Sequence, residues 1–255
     1  MDEGRRLPTF LRSLLLQGLW SFERLQGLGF LFAADPRLRS FYPEPERRKE
    51  ALARHLEYFN TQPHMAGFVL GAVLGMEREA ASLEGPRREE SVRRLLSAKR
   101  AMASALAAIG DGVFWGKLRP VCLSAAMGAW GLFWTLELPH PLLAGCLLYL
   151  TLFNLPALWV RWEGLRLGES WGERMPQELA RIRWRRAARL LQWTGLAAAA
   201  ALAACVLLVP PFGPPGPWNA AWLAGCLLLH RRGLTGAKIY AIMGAVGVVW
   251  AWGWA

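Results

Sequence analysis

Apolar and polar positions interleave along the first hundred residues and separate into blocks thereafter. Between Thr9, a cap, and Pro36, a stop, Leu11, Leu15, Gly18, Phe22, Leu25, Gly29 and Phe32 recur at alternating steps of four and three, which predicts a single helix with one apolar stripe. Arg12, Gln17, Glu23, Arg24 and Gln26 interrupt its other faces. Such a helix lies in a membrane interface or on a partner, or else is the core helix of a soluble head. Pro43-Glu44-Pro45-Glu46 opens a second helix with acids at its positive end, and Leu52, His55, Leu56 and Phe59 share one face. His55, with no second histidine at helical spacing, is read as a hydrogen-bonded core histidine rather than a ligand. Residues 65–76 form a twelve-residue apolar run, too short to span a bilayer and suited to a re-entrant or buried helix. Pro86 opens a third amphipathic helix, with Glu89 and Glu90 four residues before Arg93 and Arg94.

Beyond residue 100 the apolar runs lengthen, at about 118–138, 142–160, 190–209, 218–230 and 238–254. Leu138-Pro139-His140-Pro141 and the proline-rich linker at 210–217 lack Lys and Arg, whereas residues 161–189 hold eight Arg. By the positive-inside rule this alternation puts residues 1–100 in the cytoplasm and the C-terminus outside, unless the short fourth run is re-entrant. Tryptophans such as Trp130, Trp134, Trp159, Trp193, Trp218 and Trp250 gather at run ends, as an aromatic belt requires. The expected fold class is a mostly α polytopic membrane protein, with N-terminal amphipathic or interfacial helices, re-entrant helical segments and about four to five transmembrane helices. Its expected regions are an amphipathic part over 1–100, a core membrane region over 101–170, a basic juxtamembrane linker over 171–189 and C-terminal transmembrane helices over 190–255.

Composition adjusts this picture in three ways. The net charge of +11 suits nucleic acid or anionic lipid, but the basic residues adjoin apolar runs, so lipid and a membrane partner are expected and nucleic acid is not. Cys122, Cys146, Cys205 and Cys226 lie inside apolar runs without metal spacing and are read as buried hydrophobes. The first apolar stretch is interrupted by charge and precedes no small-residue cleavage pattern, so it is expected to stay in the chain rather than serve as a signal peptide.

Candidate chemistry concentrates in two places. Asp111, Lys117 and Arg119 are the only formal charges between Arg100 and Glu137, and Gly110, Gly112, Gly116 and Pro120 argue against a plain helix around them. Two readings stand: a polar site inside a membrane protein, where irregular backbone survives only beside protein or water, or a solvated turn with Asp111 as an N-cap. Asn60-Thr61-Gln62-Pro63-His64 clusters amide, hydroxyl and imidazole groups at the mouth of the 65–76 run, which suits a hydroxyl-rich ligand or a loop that caps two helices. No P-loop, nucleophile elbow, zinc spacing or paired carboxylates are found in the sequence. No catalytic residue, metal ligand or cofactor is therefore assigned, and a lipid-modifying enzyme using Asp111 and His64 lacks a nucleophile.

Together the motifs resemble the IID subunit of the mannose-family sugar phosphotransferase systems. The matching stretches are Phe10-Leu11-Arg12-Ser13, Phe22-Glu23-Arg24-Leu25-Gln26-Gly27-Leu28-Gly29, Phe41-Tyr42-Pro43, Arg54-His55-Leu56-Glu57-Tyr58-Phe59-Asn60-Thr61-Gln62-Pro63, Gly110-Asp111 with Phe114-Trp115-Gly116 and Arg119-Pro120, and Leu152-Phe153-Asn154-Leu155 with Gly164 and Gly168. The sequence departs from the family at Ser104-Ala105, where Gly-Pro is common, and at Lys117, where a small hydroxyl residue is common. The resemblance implies a multi-pass subunit of the bacterial inner membrane. With a IIC subunit it would form the sugar-translocating path for phosphoenolpyruvate-dependent uptake and phosphorylation of a hexose. The phosphoryl-transfer histidines would lie on cytoplasmic IIA and IIB partners, and the IIC–IID units would form a homo-oligomer, a trimer. On this reading Asn60, Gln62, His64 and Asp111 line the sugar path, with Trp115, Arg119 and Asn154 supporting it. The alternative is a membrane scaffold or regulatory remnant of that system without transport activity.

Overall fold

The computed structural model describes residues 6–182, 184–208, 224–226, 228–234 and 242. Most of the apolar runs expected at 218–230 and 238–254, with Trp218, Trp222, Trp250, Trp252 and Trp254, lies outside the described residues, as does Cys205's side chain. Among the described residues the regular structure is helical, with two isolated β-bridges. The helices are α1 (Arg6–Ser13), α2 (Gly27–Phe41), α3 (Pro45–His55), α4 (Ala66–Ala81), α5 (Gly85–Gly110), α6 (Arg119–Thr135), α7 (Pro141–Trp171), α8 (Met175–Arg181) and α9 (Trp184–Leu208), with a π-helix at Asp111–Leu118 between α5 and α6. The chain forms two compact units, one of Met1–Leu123 with Tyr149–Leu196 and one of Ser124–Leu148 with Ala197–Ala255.

The single helix expected over 9–34 is instead two, because tertiary backbone pairing recruits the segment between them. Gln26 N–H donates to Phe59 O at 2.9 Å, and Phe59 N–H to Arg24 O at 3.2 Å. The Gln26 amide then exchanges two further bonds with the Thr61 backbone, at 2.9 and 3.0 Å. A helix through this segment would leave the Phe59 and Thr61 groups unpaired in the interior. Gly27 and Gly29 follow because a Cβ at either would overlap the backbone of Glu57 or Leu16.

Pro36 does not stop the chain's helix; it lies inside α2. A proline there removes the N–H that would bond the carbonyl four residues back. That carbonyl belongs to Phe32, and the Arg12 guanidinium takes it at 3.3 Å while lying over the Phe32 ring at 4.7 Å. A long-range partner thus replaces the lost local one.

In the first unit α4 is the central element. Its residues from Ala66 to Leu74 are all buried, so it is apolar all round, as an enclosed helix must be. Gly67, Gly71 and Gly75 form a small-residue ridge that meets α7. A Cβ on Gly67 or Gly71 would overlap the carbonyl oxygens of Arg161 or Leu165, and one on Gly75 would come within 2.9 Å of Glu169 O. Gly164 and Gly168 reciprocate, because Cβ atoms there would overlap Phe68. The two backbones approach closely only because both ridges are glycine, as in small-xxx-small helix pairs. Gly172 takes a left-handed φ of 51° immediately after Trp171 and ends α7.

In the second unit α6 and α7 are joined by Leu136–His140, where Glu137 and His140 adopt positive φ. Gly145 of α7 faces the Ala126 carbonyl of α6. Leu142, Leu143 and Leu147 are exposed, and so is Cys146. The expectation of buried cysteines therefore holds for Cys122 and fails for Cys146, which lies on an exposed face of α7. Among the described residues, one continuous helical stretch, Pro141–Arg181, is long and apolar enough to cross a membrane.

Candidate functional site

The mouth of α4 gathers Gln62 and His64 of the predicted polar residues, and backbone contacts fix both. Gln62 fixes the turn that leads into α4: its Oε1 accepts from the His64 and Met65 N–H groups at 2.7 and 3.2 Å, immediately before the helix starts at Ala66. Its Nε2 is buried without a partner among the described residues. Gly110 sits against it, since a Cβ there would overlap the Gln62 side chain. Thr61 ties the loop to α5 through Oγ1, which donates to Ala103 O at 2.9 Å.

His64 is ringed by aromatics. Its imidazole centroid lies 4.8 Å from Phe114, 5.9 Å from Trp115 and 5.5 Å from Phe153. Trp115 stacks on Phe153 at 6.0 Å and Phe153 on Tyr149 at 5.9 Å, while the Arg119 guanidinium stands 5.4 Å over Trp115. Burial, with Arg161 adding to it, pushes the His64 imidazole down to about 4, so the ring is neutral at physiological pH. Gln62, His64, Trp115 and Arg119 thus form one continuous cluster, with Trp115 two-fifths exposed. The backbone that presents Trp115 is a π-helix, a form common at functional sites.

The other predicted residues sit apart. Asn60 is exposed and lines a separate cavity of about 290 Å³ with Lys99, Arg100 and Ser104. Asn154 is exposed and turns its amide back to Leu150 O at 2.8 Å. Asp111 is exposed at the first position of the π-helix and makes no hydrogen bond or ion pair among the described residues. Asp111 is not paired with Arg119, which stacks on Trp115, or with Lys117, whose ammonium donates to Gly112 O at 3.1 Å. Nor is it the N-cap of a solvated turn, since α5, the π-helix and α6 run on without interruption.

Sequence reasoning missed Arg161, which stands at the rear of the cluster. It is 6% exposed, and its two terminal nitrogens donate to Ser13 O at 2.9 Å and Pro63 O at 2.6 Å, holding the loop before His64. Its Nε has no hydrogen-bond partner among the described residues. It was counted with the basic juxtamembrane residues because local sequence does not distinguish an inward arginine from an interfacial one. The four-residue spacing from Arg161 through Leu165 to Glu169, matched to Gly67, Gly71 and Gly75, is the signal that places it on the packed face.

Two buried carboxylates behind the site were also not legible. Glu77, wholly buried, accepts from Arg54 at 2.8 and 2.9 Å, from His55 Nε2 at 2.8 Å and from the Tyr42 hydroxyl at 2.7 Å. Burial alone would raise its carboxyl, but the bonds from His55 and Arg54 hold it down to about 2. His55 has the opposite balance: burial outweighs Glu77 and keeps the ring neutral, which leaves Nδ1 to accept from Lys99 at 3.4 Å. Burial pushes the Lys99 ammonium down to about 8, even with Glu57 at 3.5 Å. The core-histidine reading of His55 is thus the one the structure forms. Glu169 binds Arg6 at 3.1 Å, Arg37 at 2.6 Å and Arg78.

The long, outwardly apolar α7 has the length and composition of a membrane-crossing helix, and likeness to known proteins gives the class. The model of the phosphotransferase (PTS) system mannose/fructose/sorbose family IID component matches residues 1–210, and the chain belongs to that family. The mannose-specific EIID component of Escherichia coli K12 is 43% identical over 165 residues, 64% of this chain and 54% of that protein. The fructose permease IID component of Bacillus subtilis is 34% identical over 186 residues, 71% of this chain and 63% of that protein. The chain thus matches between half and two thirds of the length of these relatives. A solved chain from the cryo-EM structure of the mannose transporter ManYZ with microcin E492 superposes with a TM-score of 0.59 at 28% identity, covering 98% of this chain and 96% of that one. A second solved chain, described as a membrane protein, gives a TM-score of 0.72 at 28% identity, covering 97% and 96%.

Proposed function

We propose that this chain is the IID membrane subunit of a mannose-type sugar phosphotransferase system, multi-pass in the bacterial inner membrane. With a IIC subunit it forms the path by which a hexose enters while cytoplasmic IIA and IIB proteins supply phosphate from phosphoenolpyruvate. The observation that carries this reading is the near full-length likeness to a chain of a mannose transporter. The site's chemistry agrees with it. Gln62 Nε2 is a buried donor without a partner among the described residues, and Trp115 offers a partly exposed ring beside a neutral imidazole. Such donors suit hydroxyls, and such a ring suits the C–H face of a sugar. Asp111 is exposed and unpaired among the described residues, which suits a carboxylate that faces the partner subunit or the sugar; Asn60 and Asn154 are proposed in the same role at its margins. The exposed apolar residues of α7, and Leu7, Leu11, Leu15 and Phe22 near the N-terminus, suit lipid or the IIC subunit.

The test is complementation. Expressed with its IIC, IIA and IIB partners in cells lacking their own IID, the chain is expected to restore phosphoenolpyruvate-dependent hexose uptake. Assembly with IIC but no uptake of any hexose would support the alternative reading, a scaffold or regulatory remnant, to which the departures at Ser104, Ala105 and Lys117 point. Failure to assemble with any IIC would overturn both.

A further inference from the structure

α5, α8 and the first turns of α9 enclose an open groove of about 910 Å³, at the upper end of ligand-pocket sizes. Its floor is apolar, made by Met102, Ala105, Ile109, Leu179 and Trp184, and Arg181, Arg186 and Arg189 stand around it. The Trp184 indole N–H donates to Leu179 O at 3.2 Å, so the floor presents no free polar group from that ring. Arg181 is three-quarters exposed and pairs with Glu178 at 2.7 Å; Arg186 is exposed. Arg189 also borders an adjoining cavity of about 480 Å³ with Lys117 and Gln192. Four residues beyond Arg186, about 6 Å along the axis, α9 begins to expose apolar side chains at Leu190, Trp193 and Leu196.

An arginine rim above an apolar slot, placed where a helix passes from basic to apolar exposure, matches a molecule with an anionic head and hydrocarbon tails. We propose that this groove is a binding site for an anionic phospholipid. The acyl chains lie on Met102, Ile109 and Trp184, and the phosphate lies between Arg181 and Arg186. The exposed guanidinium of Arg186, with Arg181 beside it, favours an anionic head over a zwitterionic one. The apolar floor would leave the backbone of an extended peptide without partners, and the arginine rim calls for an anion that an apolar partner helix does not carry, so lipid is favoured over a protein segment. Arg181 and Arg186 are thereby assigned as headgroup residues and Lys117 as a neighbour that adds positive potential. The site rests on the membrane reading and not on sugar transport, so a transport-inactive chain would still bind lipid.

Native mass spectrometry of the full chain, extracted in whatever assembly it forms, can test this with phosphatidylglycerol and phosphatidylcholine as probes. Phosphatidylglycerol is expected to bind the more tightly. The double variant R181Q/R186Q should lose that preference by about thirtyfold, as two basic side chains near an anionic headgroup supply, and still bind phosphatidylcholine. Ala105→Trp, which fills the slot, should reduce binding of both lipids. A photo-crosslinking residue at Ala105 in intact cells should capture lipid. Equal binding of the two lipids, or no response to R181Q/R186Q, would overturn the proposal, and so would capture of a protein chain at Ala105. A circular dichroism spectrum matching the parent shows that each variant is folded.

Discussion

The charges around Glu77 and those around Asp111 stand in similar sequence settings, yet the folded chain uses them in opposite ways. Glu77 follows twelve apolar residues and would pass for the polar end of a short helix, but it is the most enclosed carboxylate of the first unit and binds three side chains at once. Asp111 stands among glycines and apolar residues, where a charge demands explanation, yet its side chain is exposed and unpaired among the described residues. Long-range partners therefore make Glu77 a structural charge. No such partner reaches Asp111 among the described residues.

The largest expected effect is on Glu77. Glu77→Ala strands Arg54, His55 and Tyr42 in the interior and is expected to cost about 3–5 kcal/mol, read as a lowered thermal midpoint or loss of the folded chain. Asp111→Ala should change stability by less than about 0.5 kcal/mol. Equal losses at both positions would erase the distinction. Next comes the helix crossing that supports Glu77 and Glu169: Gly71→Val places side-chain atoms on the Leu165 carbonyl and should cost about 3 kcal/mol in the same assay, whereas Gly128→Ala, where a Cβ meets nothing, should be close to neutral.

Acid should weaken the Glu77 region selectively. Its folded pKa of about 2 lies below the ordinary value of 4.5, so its contribution, about 3 kcal/mol, is complete above pH 4.5 and is lost as pH falls toward 2. Unfolding curves across that window should show the loss, and Glu77→Gln should remove this part of the slope. In the functional direction, Asp111→Ala in an assembled transporter is expected to reduce hexose uptake about ten- to a hundredfold without a stability change. Normal uptake would remove Asp111 from the proposed sugar path. The smallest effect is expected at Arg12→Met, which leaves the Phe32 carbonyl unpaired beside Pro36 and should cost about 1 kcal/mol; an unchanged midpoint would show that water replaces the guanidinium.

Much of the architecture could be read from residue pattern. The apolar core run at 65–76, the helices opened by Pro45 and Pro86, the irregular backbone near Gly110 and the long apolar helix after Pro141 all correspond to observed elements. The Gln62–His64 loop was singled out by its polar groups, and Trp115 and Arg119 by the family resemblance; the fold brings these residues together. What was illegible shares one cause. The break at residues 14–26 depends on pairing with Phe59 and Thr61, the survival of α2 through Pro36 depends on Arg12, and the inward placement of Arg161 depends on the α4 ridge.

The sequence by itself determined the helical class, the family and the division between charged and apolar stretches, because periodicity and motif are local properties of the chain. Only the tertiary structure decided which charges are buried in ion pairs and which stay exposed. Burial converts a charge from solvated to costly, and whether the cost is met depends on groups brought near from far along the chain: Tyr42 is 35 residues from Glu77, and Arg6 is 163 from Glu169.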